Sequence, residues 1–386
     1  MKRASSLYLT NETGIPWKNR APLLTAIDME LTERCNNRCV HCGINQPEKD
    51  AAARERELGT AAWQELLRQA ADLGALTVRF TGGEPLLRED FTELYLHARR
   101  LGLRVLLFTN ARLITPELAD LFARIPPLEE IEITSYGMTA ASYESVSQQK
   151  GSFSEFRSGV DLLLARKIPV IIKGTLLPAT RHEMNDFIAW TGTMPSFVMF
   201  LELRSRRDSE EKNERIRQLR LPPGEGVRIL STQPDIYRRD MYRICRECEI
   251  KPTDRIFTCN QGNKLCIDAY GKIQYCLALR HPDTVLDSRA HTLKAYLTDY
   301  LPALRSRRSE NAEFLQRCAR CYLRSFCDQC PAKSWMEHGV LDQPVEYVCE
   351  IAHEQARYLG LLEKEEQAWT ITDWPERLKQ LADRLQ

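Results

Sequence analysis

The sequence predicts an α/β protein in which a parallel sheet with crossover helices precedes a smaller, cysteine-rich α+β region. Six short apolar runs alternate with amphipathic stretches between residues 24 and 203, a strongly charged segment begins at residue 205, and ten of the 13 cysteines lie between residues 245 and 349. Strands that alternate with helices pair in parallel through right-handed crossovers. Because most of the cysteines follow the last predicted strand, we expect the cysteine-rich region to come after the sheet in the chain.

The apolar runs predict six buried strands, and the stretches between them predict five helices. The strands are expected at residues 26–31, 76–80, 104–108, 130–134, 170–175 and 197–203, and the helices near residues 60–73, 90–101, 116–124, 153–166 and 181–191. Pro116 stands at a first helical position, where proline is favoured. Six units are fewer than the eight of a closed TIM barrel, so the pattern fits either a partial barrel or an open doubly wound sheet.

Three cysteines follow the first predicted strand. Cys35, Cys39 and Cys42 have the spacing Cys-x3-Cys-x2-Cys, and no further cysteine occurs before Cys245. Three thiolates on one loop can ligate three irons of a cubane cluster and leave the fourth iron open. Zinc would need a fourth ligand, and His41 cannot easily face the same metal as Cys42. Disulfides would leave one thiol over.

A second motif follows the second predicted strand, where parallel sheets place their ligands. Gly82, Gly83, Glu84 and Pro85 stand in sequence there. Paired glycines let a backbone approach a ligand closely, and the Glu84 carboxylate suits an ammonium group. Taken alone, the glycine pair predicts only a turn.

On these two motifs the chain resembles the radical S-adenosylmethionine (SAM) enzymes. The resemblance implies a partial (β/α)6 TIM-type barrel and a 4Fe-4S cluster on Cys35, Cys39 and Cys42, whose open iron binds SAM. In that family, reductive cleavage of SAM gives a 5′-deoxyadenosyl radical that abstracts hydrogen from the substrate. The resemblance also implies that the segment from Gly82 to Pro85 binds the amino group of SAM.

Three further residues end the third, fourth and fifth predicted strands or lie late in them. By analogy with the family, Asn110 is expected at the SAM site, Ser135 at the ribose or carboxylate, and Lys173 at the carboxylate. The alternative for each is a capping residue or a solvated position on the barrel rim.

The charged segment suggests where the domains divide. Residues 205–250 mix both signs of charge, which predicts a solvated helix or linker. We therefore expect a core with a short N-terminal extension over residues 1–204, a bridging region over 205–250, a cysteine-rich domain over 251–352 and a helical tail over 353–386.

The later cysteines resemble the SPASM extension of radical SAM enzymes. They form two runs and a final thiol: Cys259-x6-Cys266-x9-Cys276, Cys318-x2-Cys321-x5-Cys327-x2-Cys330, and Cys349. The stretch from Cys266 to Cys276 predicts two strands around a turn at Gly271. Two residues separate Cys327 from Cys330, where the extension has three.

The SPASM resemblance implies two auxiliary 4Fe-4S clusters, and thus three clusters in the chain. The first would be held by Cys259, Cys266, Cys276 and Cys330, and the second by Cys318, Cys321, Cys327 and Cys349. Zinc stays open as an alternative at these cysteines, because Cys-x2-Cys pairs are common in zinc sites. Cys245 and Cys248 lie outside the pattern and receive no assignment.

Enzymes with this extension mostly modify peptides or proteins. The resemblance therefore implies a maturase that cross-links, oxidises, epimerises or excises a residue of a ribosomally made precursor peptide. A radical dehydrogenase of a small metabolite, a sulfatase-maturase-like enzyme and a non-catalytic iron–sulfur protein are the alternatives. Only some 25 residues precede the first strand, which predicts a separate small protein that binds the leader. An external reductant such as flavodoxin or ferredoxin is also expected.

Charge and hydropathy exclude other classes. The net charge of +1 gives no overall basic field for nucleic acid. No apolar run approaches the roughly 18 residues that a membrane span needs. The N-terminus lacks the apolar segment of a signal peptide. A cytoplasmic protein is expected, in which thiols stay reduced and available to metals.

Overall fold

A nine-stranded sheet forms the centre of the protein. The structure, a computed structural model, describes residues 24–44, 46–192, 196–205, 209–247, 251–258, 263–327 and 330–385. The described strands are β1 Ala26–Thr32, β2 Arg34–Cys35, β3 Gln46–Pro47, β4 Thr77–Gly82, β5 Arg104–Thr109, β6 Leu128–Ser135, β7 Val170–Thr175, β8 Ser196–Phe200, β9 Lys264–Ile267, β10 Lys272–Gln274 and β11 Leu286–Asp287. The order in the sheet is β11-β10-β9-β1-β4-β5-β6-β7-β8, and β2 pairs with β3 separately.

The six predicted strands are β1 and β4–β8, and all their pairings are parallel. The α/β prediction with a six-stranded parallel core is therefore confirmed. The helices of this half are α1 Ala51–Arg56, α2 Thr60–Asp72, α3 Phe91–Arg100, α4 Pro116–Arg124, α5 Ala140–Ser147, α6 Ser152–Ala165 and α7 Met184–Thr191. Sequence reasoning missed α1 and α5. The short α5 has little apolar periodicity, and a capping box between Thr139 and Ser142 begins it.

The two faces of the parallel strands differ in polarity. One face is apolar and packs under the helices, with Phe80, Ile133 and Ile172 fully buried in the main core. Such burial contributes roughly 1.5–3 kcal/mol for each large side chain. The opposite face carries charge: Arg79 pairs with Asp28 at 2.9 Å. The face of the sheet opposite the helices is therefore polar.

The hairpin predicted around Gly271 is confirmed, and it extends the core sheet. β9 pairs antiparallel with β10, and Gly271 has a φ of +87°, which favours glycine. β9 also pairs in parallel with β1, so that Ala26 lies beside Lys264. The cysteine-rich region thus shares a sheet with the core, while the predicted domain boundaries stay predictions.

The remaining residues are mainly helical. The charged segment contains α8 Glu210–Gln218, α9 Pro223–Leu230 and α10 Pro234–Glu247, and the rest contains α11 Leu293–Ala295, α12 Leu301–Ser306, α13 Ala312–Gln316, α14 Arg324–Cys327, α15 Pro331–His338, α16 Glu346–Tyr358 and α17 Trp374–Leu385. Helix α9 packs on α16, and α17 packs on α10. Among the described helices, none combines the length and the apolar character that crossing a membrane requires.

Candidate cluster-binding sites

The loop that carries the first three cysteines follows β1 and is anchored on the end of α5. The Arg38 amide donates to the Ser147 carbonyl at 2.8 Å, and the Val40 amide donates to the Val146 carbonyl at 3.0 Å. Within the loop, the Cys42 amide donates to the Cys39 carbonyl at 3.0 Å. These bonds fix the course of the backbone between the cysteines.

Among the thiols of this loop, Cys39 is buried, and Cys35 and Cys42 are partly buried. Burial raises the pKa of the Cys35 thiol to about 12 and raises the pKa of Cys39 well above its ordinary value. The negative charge of Cys42 adds to both pKa shifts. Thiols of this kind ionise when a metal replaces the proton.

Within the described ranges, no three His, Cys, Asp or Glu side chains converge on the position of a single metal ion. The binding of a 4Fe-4S cluster by Cys35, Cys39 and Cys42 stays a prediction. His41, considered as a zinc ligand, places its ring against Tyr136 with centroids 5.5 Å apart.

The two glycines of the second motif lie directly against the cysteine loop. The Gly83 amide donates to the Thr32 carbonyl at 2.7 Å, and the Glu84 amide donates to the Arg34 carbonyl at 2.8 Å. A Cβ on Gly83 would lie 2.2 Å from the Arg34 carbonyl oxygen, and one on Gly82 would lie 2.1 Å from that of Thr32. The glycines are needed because two protein backbones meet here, a reason that sequence reasoning did not give.

Glu84 connects the second strand of the core to the third. Its carboxylate is fully buried and accepts hydrogen bonds from the Thr109 hydroxyl at 2.8 Å, the Asn110 amide at 2.8 Å and the Leu86 amide at 3.1 Å. Burial raises the pKa of Glu84 to about 7, against the effect of these bonds. Pro85 begins a short 3-10 helix immediately after it. Contact of this segment with SAM stays a prediction.

Asn110 lies beside the cysteine loop, as the prediction for this residue requires. Its side-chain nitrogen lies 2.7 Å from Asn36 Oδ1 and 3.8 Å from Cys35 Sγ. Arg112, which sequence reasoning missed, donates to Asn37 Oδ1 at 2.7 Å and also to the Asn36 carbonyl. The only available signal was its position two residues after Asn110.

Ser135 and Lys173 lie on neighbouring strands in different surroundings. Ser135 is buried, donates to the Gly137 carbonyl at 3.3 Å and lines a small cavity at the carboxyl ends of β6 and β7. Lys173 forms an ion pair with Glu132, and its ammonium lies 4.2 Å from the centre of the Phe108 ring. Lys173 thus has a carboxylate partner within the protein, and its contact with SAM stays a prediction.

Four cysteines of the second half line one cavity, which we call the cysteine cavity. They are Cys318, Cys321, Cys327 and Cys349, the set expected to hold the second auxiliary cluster. Burial raises the pKa of the Cys318 and Cys321 thiols to about 12. Arg317 and Arg324 line the same cavity, and the Nε atoms of both are buried without a hydrogen-bond partner among the described residues. Cationic donors around four thiols fit an anionic metal cluster.

The cysteines expected to hold the first auxiliary cluster are described only in part. Cys266 is fully buried in β9, and the charge of Cys276 acts on its thiol. Cys276 and Cys330 are half-buried and both pack against the main core. Cys259 lies outside the described residues, as does Cys248. Cys245 is a buried thiol of α10 in the same apolar cluster as Cys321.

Comparisons with known proteins find a superfamily model and relatives that match the first half of the chain. Residues 29–191 match the model of the Radical SAM superfamily. A PqqA peptide cyclase of Xanthomonas euvesicatoria is 36% identical over 169 residues, which are 44% of each chain. An AdoMet-dependent heme synthase of Methanosarcina barkeri is 29% identical over 196 residues, which are 50% of this chain and 54% of the relative. The chain thus spans about half the length of these curated relatives.

Solved structures share the fold over most of the chain. Streptococcus suis SuiB bound to S-adenosylmethionine superposes with a TM-score of 0.64 at 16% identity, over 85% of this chain and 77% of SuiB. Native anSMEcpe with AdoMet and a Cp18Cys peptide superposes with a TM-score of 0.63 at 14% identity, over 94% of this chain and 100% of that one. Residues 29–191 therefore match the Radical SAM superfamily, in a chain that has the fold of SuiB and anSMEcpe.

Proposed function

We propose that this protein is a radical SAM maturase that modifies a residue of a ribosomally made precursor peptide. The observation that carries the proposal is the junction of the two motifs. The backbone of Gly83 and Glu84 is hydrogen-bonded to Thr32 and Arg34, so the cysteine loop and the glycine motif form one surface at the carboxyl end of the sheet. Parallel sheets bind their ligands at this end.

The residues of this surface would divide the binding between them. Cys35, Cys39 and Cys42 would hold a 4Fe-4S cluster, which when bound supplies the electron that cleaves SAM to a 5′-deoxyadenosyl radical. Asn110 and Arg112 position the loop through Asn36 and Asn37.

Further residues of the surface are proposed as contacts of SAM itself. The segment from Gly82 to Pro85 would meet the amino group of SAM, and Ser135 lies two strands further along the same end of the sheet. We also propose that Lys173 binds the carboxylate of SAM. In doing so, its ammonium group would leave Glu132 and pair with SAM instead.

We propose two auxiliary 4Fe-4S clusters, one on Cys318, Cys321, Cys327 and Cys349, and one on Cys259, Cys266, Cys276 and Cys330. The shared cavity supports the first of these sets. The hairpin of β9 and β10 supports the second, because it carries Cys266 in the sheet and ends just before Cys276.

The names of similar proteins favour a peptide substrate. A peptide cyclase is among the relatives, and SuiB has been solved with a precursor peptide, SuiA, with a TM-score of 0.58 at 16% identity. The heme synthase favours a second candidate, a radical reaction on a small molecule. With a peptide substrate, we also propose a separate leader-binding protein, a reductant such as flavodoxin or ferredoxin, and action in the cytoplasm.

The test begins with the anaerobically reconstituted chain, SAM and a reductant, with formation of 5′-deoxyadenosine as the readout. Short peptides encoded beside the gene are then added, and mass spectrometry follows a change in peptide mass. A peptide-dependent mass change supports the maturase. Efficient conversion of a free small molecule with no peptide present would contradict it and favour the second candidate.

A further inference from the structure

The cysteine cavity has a one-sided charge. Besides the four thiols, its charged lining residues are Arg317, Arg324 and Lys333, and no carboxylate is among the described residues that line it. Lys333 is balanced by Glu202 at 2.8 Å and donates to the Cys327 carbonyl at 2.9 Å. Arg317 and Arg324 are the other two cations that line the cavity.

Arg324 is a fully buried cation, and within the described part of the chain no carboxylate forms an ion pair with it. Its guanidinium donates to the Thr253 carbonyl and the Thr258 hydroxyl, each at 2.8 Å, and to the Arg255 carbonyl at 3.4 Å. An unpaired buried charge costs several kcal/mol unless an opposite charge lies close by. Cys318, Cys321 and Cys327 lie close enough for their charge to act on the guanidinium.

Arg317 lies directly on the sulfur of one of these cysteines. Its Nη2 is 3.6 Å from Cys349 Sγ and 2.9 Å from Glu346 Oε2. The guanidinium also lies 4.7 Å from the centre of the Trp369 ring. The carboxylate and the indole hold the cation in place, so its contact with the sulfur is fixed.

The surroundings of Cys266 have the opposite charge balance. Arg280 is the cation of this region, and it pairs with three carboxylates: Glu30, Glu33 at 2.8 Å and Asp268 at 3.7 Å. Asp28 also faces Cys266 across the pairing of β1 with β9. Carboxylates therefore surround Cys266, whereas the charged side chains that line the cysteine cavity are cations.

We infer that Arg324 and Arg317 are the counter-charges of an anionic iron–sulfur cluster in the cysteine cavity, and that they raise its reduction potential above that of a cluster at Cys266. The inference rests on the two auxiliary clusters of the proposed function. Reduction adds one electron to a cluster and makes it more negative. Neighbouring cations stabilise the reduced form more than the oxidised form, and neighbouring carboxylates have the opposite effect.

The experiment measures each auxiliary cluster alone. Both variants carry Cys35→Ala, Cys39→Ala and Cys42→Ala, which remove the thiols of the first loop. In one variant, Cys266→Ala and Cys276→Ala are added, so that only the cysteine-cavity cluster can form. The pair Cys318→Ala and Cys321→Ala leaves the other cluster instead. Iron content is determined first, and anaerobic potentiometric titrations are then followed by electron paramagnetic resonance. We expect the higher potential for the cysteine-cavity cluster.

Charge variants test the cause of the difference. At a fixed applied potential, Arg324→Gln and Arg317→Gln should each lower the ratio of reduced to oxidised cysteine-cavity cluster by about tenfold. For a one-electron couple, this change corresponds to a reduction potential that is lower by about 59 mV. Arg317→Lys keeps the charge and should restore most of the potential. Arg308→Gln is the matched control, because Arg308 pairs with Asp254 and is 60% exposed.

The outcomes separate the inference from the proposed function. A cysteine cavity that holds no iron would contradict the auxiliary cluster itself. Iron present with equal or reversed potentials, or with a potential that neither arginine changes, would overturn the inference alone. If Arg324→Gln does not fold, Arg317→Gln and Arg317→Lys decide the result, because Arg317 lies at the cavity edge with a partly exposed side chain.

Discussion

Arg280 donates a hydrogen bond to Glu33 at 2.8 Å and thereby joins the two cysteine-bearing halves of the chain. Glu33 lies two residues before Cys35, and Arg280 lies four residues after Cys276. Tyr270, in the turn of the hairpin, donates to the other oxygen of Glu33 at 3.0 Å. The three-cysteine loop is thus tied to the hairpin that carries Cys266 by buried polar contacts.

Replacing Arg280 by methionine should destabilise the chain by about 3–5 kcal/mol, because the buried carboxylates of Glu30 and Glu33 lose their counter-charge. Denaturant unfolding of the protein measures this change. Arg289→Met is the control, because Arg289 is 60% exposed beside Asp287, and such pairs contribute at most about 1 kcal/mol. Equal stability of the two variants would show that the buried network does not hold the halves together.

Changing Cys35, Cys39 and Cys42 to alanine should remove about four of about twelve irons and abolish formation of 5′-deoxyadenosine. The reason is that these thiols are proposed to hold the cluster that binds SAM. Iron analysis and chromatography of the nucleoside measure the two effects. Cys245→Ser is the control, since Cys245 lies outside both cysteine patterns, and it should keep all the iron. Stoichiometric zinc with no iron in the second half would contradict the auxiliary clusters.

Gly83→Ala should reduce iron loading of the first cluster and destabilise the protein by roughly 1–3 kcal/mol. The new methyl group would lie 2.2 Å from the Arg34 carbonyl and would push the cysteine loop away. Gly59→Ala is a matched control, because a Cβ at Gly59 meets nothing within 4 Å. Iron content and thermal unfolding of both variants test the prediction, which fails if the two behave alike.

Glu84→Gln should weaken SAM binding while most of the iron is kept. The change removes a charge that is proposed to meet the amino group of SAM, and a charge-assisted hydrogen bond is about twice as strong as a neutral one. Thr109→Val is the control, because it deletes one hydrogen bond to Glu84 and leaves the carboxylate charge. Equilibrium binding of SAM to the reconstituted proteins gives the result. Unchanged affinity in Glu84→Gln would mean that Glu84 serves only to connect the strands.

Cys318→Ala should abolish the modified product and leave some uncoupled 5′-deoxyadenosine. Cleavage of SAM is proposed to take place at the cluster on Cys35, Cys39 and Cys42, whereas Cys318 lines the cysteine cavity. Mass spectrometry of the peptide and quantification of the nucleoside in one reaction measure both. Full product formation by the variant would exclude a catalytic role for the cluster in the cysteine cavity.

The sequence predicted the elements whose patterns are local. β7 and α4 have the predicted bounds, because a regular apolar pattern defines β7, and Thr115 and Pro116 mark the start of α4. The three-cysteine loop and the hairpin around Gly271 were predictable for the same reason, since spacing and turn chemistry are visible in a few residues.

Features that depend on contacts between distant segments were not predictable. Charge made residues 205–250 resemble a linker, although Val227 of α9 is buried with Ile351 of α16. A lone arginine in sequence gave no sign that Arg324 would be fully buried beside four cysteines. Arg112 and Arg280 likewise acquire their roles only when the fold brings their partners to them.

The pairing of β9 with β1 has a consequence for how the chain is made. Met29 of β1 lies beside Ile267, so one edge of the core sheet is covered by a strand synthesised more than two hundred residues later. Until that strand emerges from the ribosome, the nascent core has an open, apolar strand edge, which favours aggregation. A chain that stops at residue 250 would leave that edge open permanently.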